Sequence, residues 1–386
     1  MGGSKISLFH MLKCAPGSQK NYLVLASPIQ KEYESLVSPY VEKIYYQEIP
    51  TWQKYNRRTL IEKLRAPLGD AYRILRSVPA AVKLSKIIRE ENIDLVHTNN
   101  SITPVGALAA YAAKVPHVWH IREPFGDQRQ YQPILGDSIA FWLMKRLSKV
   151  IICNSEFTAK SFRDRRISHV IIQNGINLDY YPDSENRGKL LRASFGIKDD
   201  ELVIGMVGNL TTEWKRHDYF LEIAAFLRRE FEDINFIVFG SSSDLNQTEY
   251  TRKLAEQAVQ MGIKDRLIWV DFIDDTGAMM NCLDILVHPA LAEGSGRVIM
   301  EAMAVGRPLV AMRSGGVQEL IQDGKTGFLI QPGNMEDFAK QVKVLLEDEG
   351  LRKEIGENAR GYAQLHFSDQ ASMDAIVKVY EEIIQT

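Results

Sequence analysis

Short apolar runs recur along almost the whole of this chain, and most neighbouring pairs are separated by a stretch with helical spacing. The first half reads as strands at 22–26, 43–46, 94–97, 118–121 and 150–153, with helices at 31–39, 70–90, 104–113 and 138–148. The second half reads as strands at 202–207, 235–239, 267–270, 284–288, 308–311 and 327–330, with helices at 216–230, 249–260, 297–305, 335–347 and 370–384. Strands that are apolar throughout and alternate with helices imply parallel sheets covered on both faces. A chain of 386 residues exceeds one ordinary core, so two such sheets are expected. Their carboxyl ends are where a ligand would bind. Residues 174–200 are polar and turn-rich and read as a linker. The predicted division is 1–177, joined by a C-terminal helix at about 368–386, and 178–367.

The start of the chain departs from this pattern. Gly2 and Gly3 lead directly into a helical pattern of Ile6, Leu8, Phe9, Met11 and Leu12, with no strand before the glycines. In a doubly wound sheet the first strand is central. Two expectations follow: the true start lies upstream of Met1, or the N-terminal sheet is one central strand short and its domain unstable.

Composition removes several classes of function. A net charge of -2 gives no global argument for nucleic acid, and three scattered cysteines argue against a disulfide framework. No apolar run has transmembrane length and no signal peptide opens the chain, so a cytoplasmic location is expected and the sequons at Asn209 and Asn246 are incidental. Gly324-Lys325-Thr326 resembles part of a P-loop, but Glu319 stands where its first glycine belongs. The Gly294-Ser295-Gly296 turn lacks the third glycine of a dinucleotide fingerprint. No Asp-x-Asp, no His or Cys pair at metal spacing and no Gly-x-Ser-x-Gly occurs, so neither a metal nor a cofactor is expected.

What remains points to a phosphorylated ligand. The stretch HPALAEGSGRVIMEAMAVGRPLV, residues 288–310, reads as a strand end, a glycine-rich turn and a helix start, with Glu293 and Glu301 eight residues apart across the turn. Glycines let backbone N–H groups come close to a ligand, and a helix N-terminus favours negative charge. The plainer alternative is an ordinary αβ turn with one solvent-facing glutamate. The strand at 202–207 likewise ends in Gly208 and Asn209, with Lys215 and Arg216 at the start of a helix, where cations suit a diphosphate.

The run HPALAEGSGRVIMEAMAVGRPLVAMRSGGVQELIQDGKTGFLI resembles the signature region of the retaining glycosyltransferases of family 4, which have the α/β GT-B fold of two facing Rossmann-like domains with a cleft between. The likeness extends to Gly2-Gly3, the strand-ending His120, IIQNGINLDYYP, Gly208 with Lys215, and the final VYEEII. The resemblance implies an N-terminal acceptor domain and a C-terminal domain for a nucleotide-sugar donor. By the same resemblance Glu293 would contact the transferred sugar, and the backbone of Gly294, Ser295, Gly296 and Arg297 would approach sugar and diphosphate, next to Val298. Glu301 would bind the ribose, Lys215 would neutralise the diphosphate, His120 would lie near the reacting sugar, and Gly3 and Gly208 would allow close approach. A family arginine is replaced by Asn209, and Arg297 is expected to supply part of the missing charge.

The segment 52–90 is basic, with Lys54, Arg57, Arg58, Lys63, Arg65, Arg73, Arg76, Lys83, Lys86 and Arg89, and with Trp52, Tyr55 and Tyr72 interleaved. It reads either as a solvated helix face or as a peripheral contact with anionic lipid at the inner face of a membrane, which would suit a lipid-linked acceptor. A glycan or a small molecule is the other acceptor class. Rival readings are another GT-B enzyme, such as a sugar-nucleotide epimerase or a phosphorylase, or an inactive sugar-nucleotide-binding protein.

Overall fold

The computed structural model describes residues 3–26, 31–54, 60–125, 132–181, 184–210, 213–240 and 248–385, the side chains of 60–65 excepted. In chain order the first half contains α1 (Gly3–Lys13), β1 (Tyr22–Leu25), α2 (Lys31–Val37), β2 (Lys43–Tyr46), α3 (Leu60–Glu90), β3 (Val96–Thr98), α4 (Val105–Ala113), β4 (His117–Ile121), α5 (Asp137–Leu147), β5 (Val150–Cys153), α6 (Glu156–Arg163) and β6 (His169–Ile171). There follow α7 (Glu185–Ser194), β7 (Leu202–Val207), α8 (His217–Arg228), β8 (Ile234–Phe239), α9 (Glu249–Gln260), β9 (Leu267–Val270), α10 (Thr276–Asn281) and β10 (Ile285–His288). The last elements are α11 (Arg297–Ala304), β11 (Leu309–Met312), β12 (Phe328–Ile330), α12 (Met335–Glu347), α13 (Glu349–His366) and α14 (Asp369–Ile384). Contacts divide the chain into two units, one of residues 2–175 with 369–386 and one of 176–368.

The N-terminal unit holds two parallel sheets rather than one. β3-β4-β5-β6 form four strands, and β1-β2 form a separate pair. A common helical layer covers both, because Val24 of β1 and Val96 of β3 pack in the cluster built by Ala81, Leu84 and Ile88 of α3 and Val105 and Ala109 of α4. On the opposite face α1 serves both sheets: Leu8, Phe9 and Leu12 pack with β1 and α2, while Met11 packs with α14 and the strands of the larger sheet. A doubly wound sheet runs in the order 3-2-1-4-5-6. The order β2-β1, then β3-β4-β5-β6, is that arrangement interrupted at its first strand, as the sequence leads one to expect. The Asn99 amide, just beyond β3, donates to the Ser4 carbonyl at 3.1 Å, so α1 begins at the carboxyl end of the larger sheet.

Two features of this unit correct the sequence reading. The long helix begins at Leu60, ten residues before the predicted start, and runs through Pro67 and Pro79. Trp52 is no surface aromatic: it is buried, stacks on Trp119 with centroids 5.6 Å apart, and donates from its indole to the Ser101 carbonyl at 2.7 Å. Tyr55, Arg57 and Arg58 lie outside the described residues, as do the side chains of Lys63 and Arg65.

The C-terminal unit is built on six parallel strands in the order β12-β11-β10-β7-β8-β9. β8 and β10 are buried at every position, which is why INFIVF and ILVH carry no polar alternation. The predicted linker is largely structured: residues 185–194 form α7, which packs against α10 through Gly188, and a side chain there would strike Asn281 within 3 Å. α6, β6, α10 and α13 are also additions to the sequence reading.

Candidate functional site

Three strand-to-helix junctions meet at the carboxyl edge of the six-stranded sheet, where β10 pairs with β7 on one side and with β11 on the other. β7 runs into Gly208 and Asn209, a short 3-10 turn at Glu213–Lys215 follows, and α8 begins at His217. β10 ends at His288, and α11 begins at Arg297 after Gly296 has turned the chain with φ +73°. The loop between them is clamped from both sides. Leu291 N donates to the Trp214 carbonyl at 2.9 Å, Ala292 N donates to Ser314 Oγ at 3.0 Å, and Gly316 N donates to the Glu293 carbonyl at 2.8 Å. Gly315 has φ +62°, and a Cβ there would lie 2.3 Å from the Glu293 carbonyl oxygen. Only glycine allows these two backbones to come so close.

Lys215 Nζ donates to Glu293 Oε2 at 2.5 Å, and their side chains are 15% and 19% exposed. Burial works to raise the pKa of Glu293, but the Lys215 ammonium outweighs it and holds the carboxyl below its ordinary range. His288 is fully buried, with Nε2 3.8 Å from Glu293 Oε2 and no hydrogen-bond partner at either ring nitrogen. Burial and then the Lys215 charge push its pKa down to about 4, so the ring is neutral.

The second signature carboxylate is paired in the same way. Arg297 Nε donates to Glu301 Oε1 at 2.8 Å one helical turn away, and Glu301 is 4% exposed. Here burial wins over the guanidinium, and the Glu301 pKa is raised. Gly294, Ser295 and Gly296 are buried, Val298 is half-buried, and Asn209 is exposed beside the buried Gly208. Arg216 is not part of this constellation: it pairs with Asp218 at 2.7 Å and lies over the Tyr219 ring.

In the N-terminal unit, His120 is buried near the end of β4, with Nε2 unpartnered, and burial, then Arg122 and His97, holds its pKa well below 6.5. It lines a small recess with His10, Arg122, Asn174 and Asp369. Arg122 Nε donates to Asn99 Oδ1 at 2.7 Å and its Nη1 donates to Asn174 Oδ1. Gly3 is exposed at the start of α1, with open space around it.

The structure thus joins Lys215 with Glu293 and Arg297 with Glu301. Sequence reasoning gives no role to His288, Arg122 or Asn174, and treats Ser314, Gly315 and Gly316 only as parts of a motif. The signal for His288 is its place at the end of an otherwise wholly apolar strand, where a fully buried polar ring is unusual. Among the described residues no three His, Cys, Asp or Glu side chains cluster as metal ligands would.

Comparison with known proteins identifies the family and the fold. Residues 189–362 match the family model described as Glycosyl transferases group 1, and residues 38–180 match that described as Glycosyltransferase Family 4. The chain is 24% identical over 320 residues, 81% of each protein, to the UDP-Gal:alpha-D-GlcNAc-diphosphoundecaprenol alpha-1,3-galactosyltransferase of Escherichia coli. It is 33% identical over 204 residues to the alpha-D-kanosaminyltransferase of Streptomyces kanamyceticus, covering 52% of this chain and 50% of that one. HepE of Anabaena, solved in complex with UDP-glucose, has the same fold, with a TM-score of 0.79 at 23% identity over 99% of this chain and 96% of that one.

Proposed function

The chain belongs to the group 1 glycosyltransferases of family 4, and on that premise we propose that it moves a sugar from a nucleotide-diphosphate sugar to an acceptor hydroxyl, with retention and without a metal. The observation that carries this reading is the Lys215–Glu293 pair, brought together from 78 residues apart on a loop clamped at both sides. In the reaction the bond from the anomeric carbon to the diphosphate breaks with its electron pair on the phosphate oxygen. The acceptor oxygen bonds to the same face of that carbon, and its proton passes to the departing phosphate. Negative charge therefore grows on the diphosphate, and a preplaced cation in a site of low dielectric stabilises it. Lys215 supplies that charge, with Arg297 supporting it where Asn209 brings none. Glu293 holds sugar hydroxyls and Glu301 the ribose. Two carboxylates so engaged are ligands, not the acid and nucleophile of a retaining hydrolase.

UDP in the HepE complex and the UDP-galactose named for the Escherichia coli relative make a uridine nucleotide the first donor to test. Acceptor binding falls to the N-terminal unit, where His120 offers an unpartnered ring nitrogen. The same unit has an outer face suited to a lipid-linked acceptor. Leu68, Tyr72, Leu75, Val78 and Val82 recur every three or four residues along α3 and are 49–78% exposed, with Arg76, Lys83, Lys86 and Arg89 on the same helix. An apolar stripe beside cations fits the surface of an anionic bilayer. Among the described residues no helix is long and apolar enough to cross a membrane; the contact proposed for α3 is a peripheral one.

A thermal-shift screen with UDP-, GDP- and ADP-sugars identifies the donor, since a ligand that binds only the folded state raises its melting temperature. The anomeric configuration of the product then decides the mechanism. Inversion removes the retaining reading. Donor binding with neither transfer nor hydrolysis across acceptors leaves an inactive sugar-nucleotide-binding protein.

A further inference from the structure

We propose that His288 is a positioning residue, which takes hold of Glu293 when a diphosphate draws Lys215 away. The inference rests on the donor reading above. Lys215 has one ammonium and two demands on it: the carboxylate it now holds at 2.5 Å and the diphosphate it must neutralise. As the ammonium turns to phosphate, Glu293 loses its charge partner in a largely buried position, and an unpaired carboxylate there is costly. It also loses the contact that fixes its rotamer at the moment it must present a defined edge to sugar hydroxyls.

His288 is placed to replace that contact. Its Nε2 lies 3.8 Å from Oε2, the same oxygen that accepts from Lys215. An N–H···O hydrogen bond forms near 2.9 Å, so an approach of about 1 Å closes it. Both ring nitrogens are buried without a partner, and an unsatisfied buried polar group is costly unless some state of the protein uses it. The ring stands on the central strand β10, buried at every position and paired on both sides, so the adjustment falls to the glutamate side chain. A neutral imidazole also suits the task. It donates to the carboxylate without adding a second positive charge against Lys215 in the resting site, whereas a second ammonium there would repel the first.

The test is calorimetric titration with UDP, GDP and ADP of the wild type, His288→Leu, which keeps apolar bulk but cannot donate, and His288→Gln, whose amide can. For whichever diphosphate binds the wild type, His288→Leu is expected to weaken binding about tenfold to a hundredfold, the loss of one hydrogen bond to a charged group. His288→Gln restores affinity to within a few-fold. In a Glu293→Ala background, which removes the accepting oxygens, adding His288→Leu has no further effect, which a merely structural role for the ring would not produce. Equal affinity of His288→Leu and wild type overturns the proposal, as does a loss that persists undiminished without the Glu293 carboxylate. If the wild type binds none of the three diphosphates, the donor reading itself fails and this inference with it.

Discussion

Replacing Gly315 by alanine tests whether the Glu293 loop owes its position to the backbone packed beneath it. A Cβ at Gly315 would sit 2.3 Å from the Glu293 carbonyl oxygen and 2.7 Å from its nitrogen, where ordinary contact begins at 3.4 Å. Both obstacles are backbone atoms, so no rotamer change relieves them. The loop must retreat by roughly 1 Å, a misplacement that costs an enzyme on the order of a hundredfold in rate. It also strains the 2.8 Å hydrogen bond from Gly316 N to the Glu293 carbonyl. For stability, a left-handed alanine costs about 1–2 kcal/mol and the overpacking about 1–3 kcal/mol more. Gly324→Ala separates the two contributions, because Gly324 has φ +76° and a Cβ there would meet nothing within 4 Å. Urea unfolding should show Gly315→Ala losing clearly more stability than Gly324→Ala. Steady-state assay with the identified donor should show a fall of about a hundredfold in kcat/KM for Gly315→Ala alone. Equal unfolding midpoints for the two variants, with kcat/KM unchanged in both, would refute the clamp.

Three further outcomes are open to measurement. His97 and His117 have pKa values pushed down to about 3, and His217 and His288 to about 4, in every case with burial as the largest cause. Their folded values lie below the unfolded 6.5, so the stability they contribute is present above pH 6.5 and is lost as pH falls from there toward 4, at up to about 1.4 kcal/mol per pH unit for each ring; a melting temperature unchanged between pH 7.5 and pH 5 would contradict this. Leu75→Glu with Val78→Glu on α3 should abolish pelleting with anionic vesicles while leaving donor binding intact, and wild-type protein that does not pellet, or pellets regardless of salt, would remove the membrane contact. A two-stranded pair is marginal by itself, so hydrogen exchange should be faster in β1 and β2 than in β4 and β5, and equal protection would show that the interruption costs the N-terminal unit nothing.

Where the sequence can be read and where it cannot follows from the kind of packing each element makes. Strands such as INFIVF and helices such as α12, with Phe338, Ala339, Val342 and Leu345 buried on one face, announce themselves by apolar periodicity. α13 does not, because its buried positions are Ile355, Gly356, Ala359 and Ala363, and small residues at helical spacing look polar in a pattern of apolar side chains. The close approach is the reason for their size: a Cβ at Gly356 would lie 2.2 Å from the Gly306 carbonyl. α7 is hidden in the same way, burying only Gly188 in an otherwise charged segment. Trp52 misleads for the opposite reason. Its basic neighbours in sequence make it look like a surface aromatic, while the residues that bury it, Ser101 and Trp119, are distant in the chain.

For the site, the residues are legible but their pairing is not. Glu293, Glu301, Lys215 and Arg297 can each be picked out by type and place, and each looks available for a ligand. In the folded chain Lys215 is engaged by Glu293 and Arg297 by Glu301, in contacts that span 78 residues in one case and a single helical turn in the other. This changes what ligand binding must do. If the proposed donor reading holds, a diphosphate does not simply meet waiting cations; it competes with carboxylates that already hold them, in surroundings where an abandoned carboxylate is expensive. The site therefore favours a ligand that offers something to both members of each pair, phosphate oxygens for the cations and hydroxyl donors for the carboxylates. A nucleotide sugar carries both on one molecule, with sugar hydroxyls on one side of its diphosphate and ribose hydroxyls on the other. Inorganic diphosphate carries only the first, so it should bind far more weakly than its charge alone would imply.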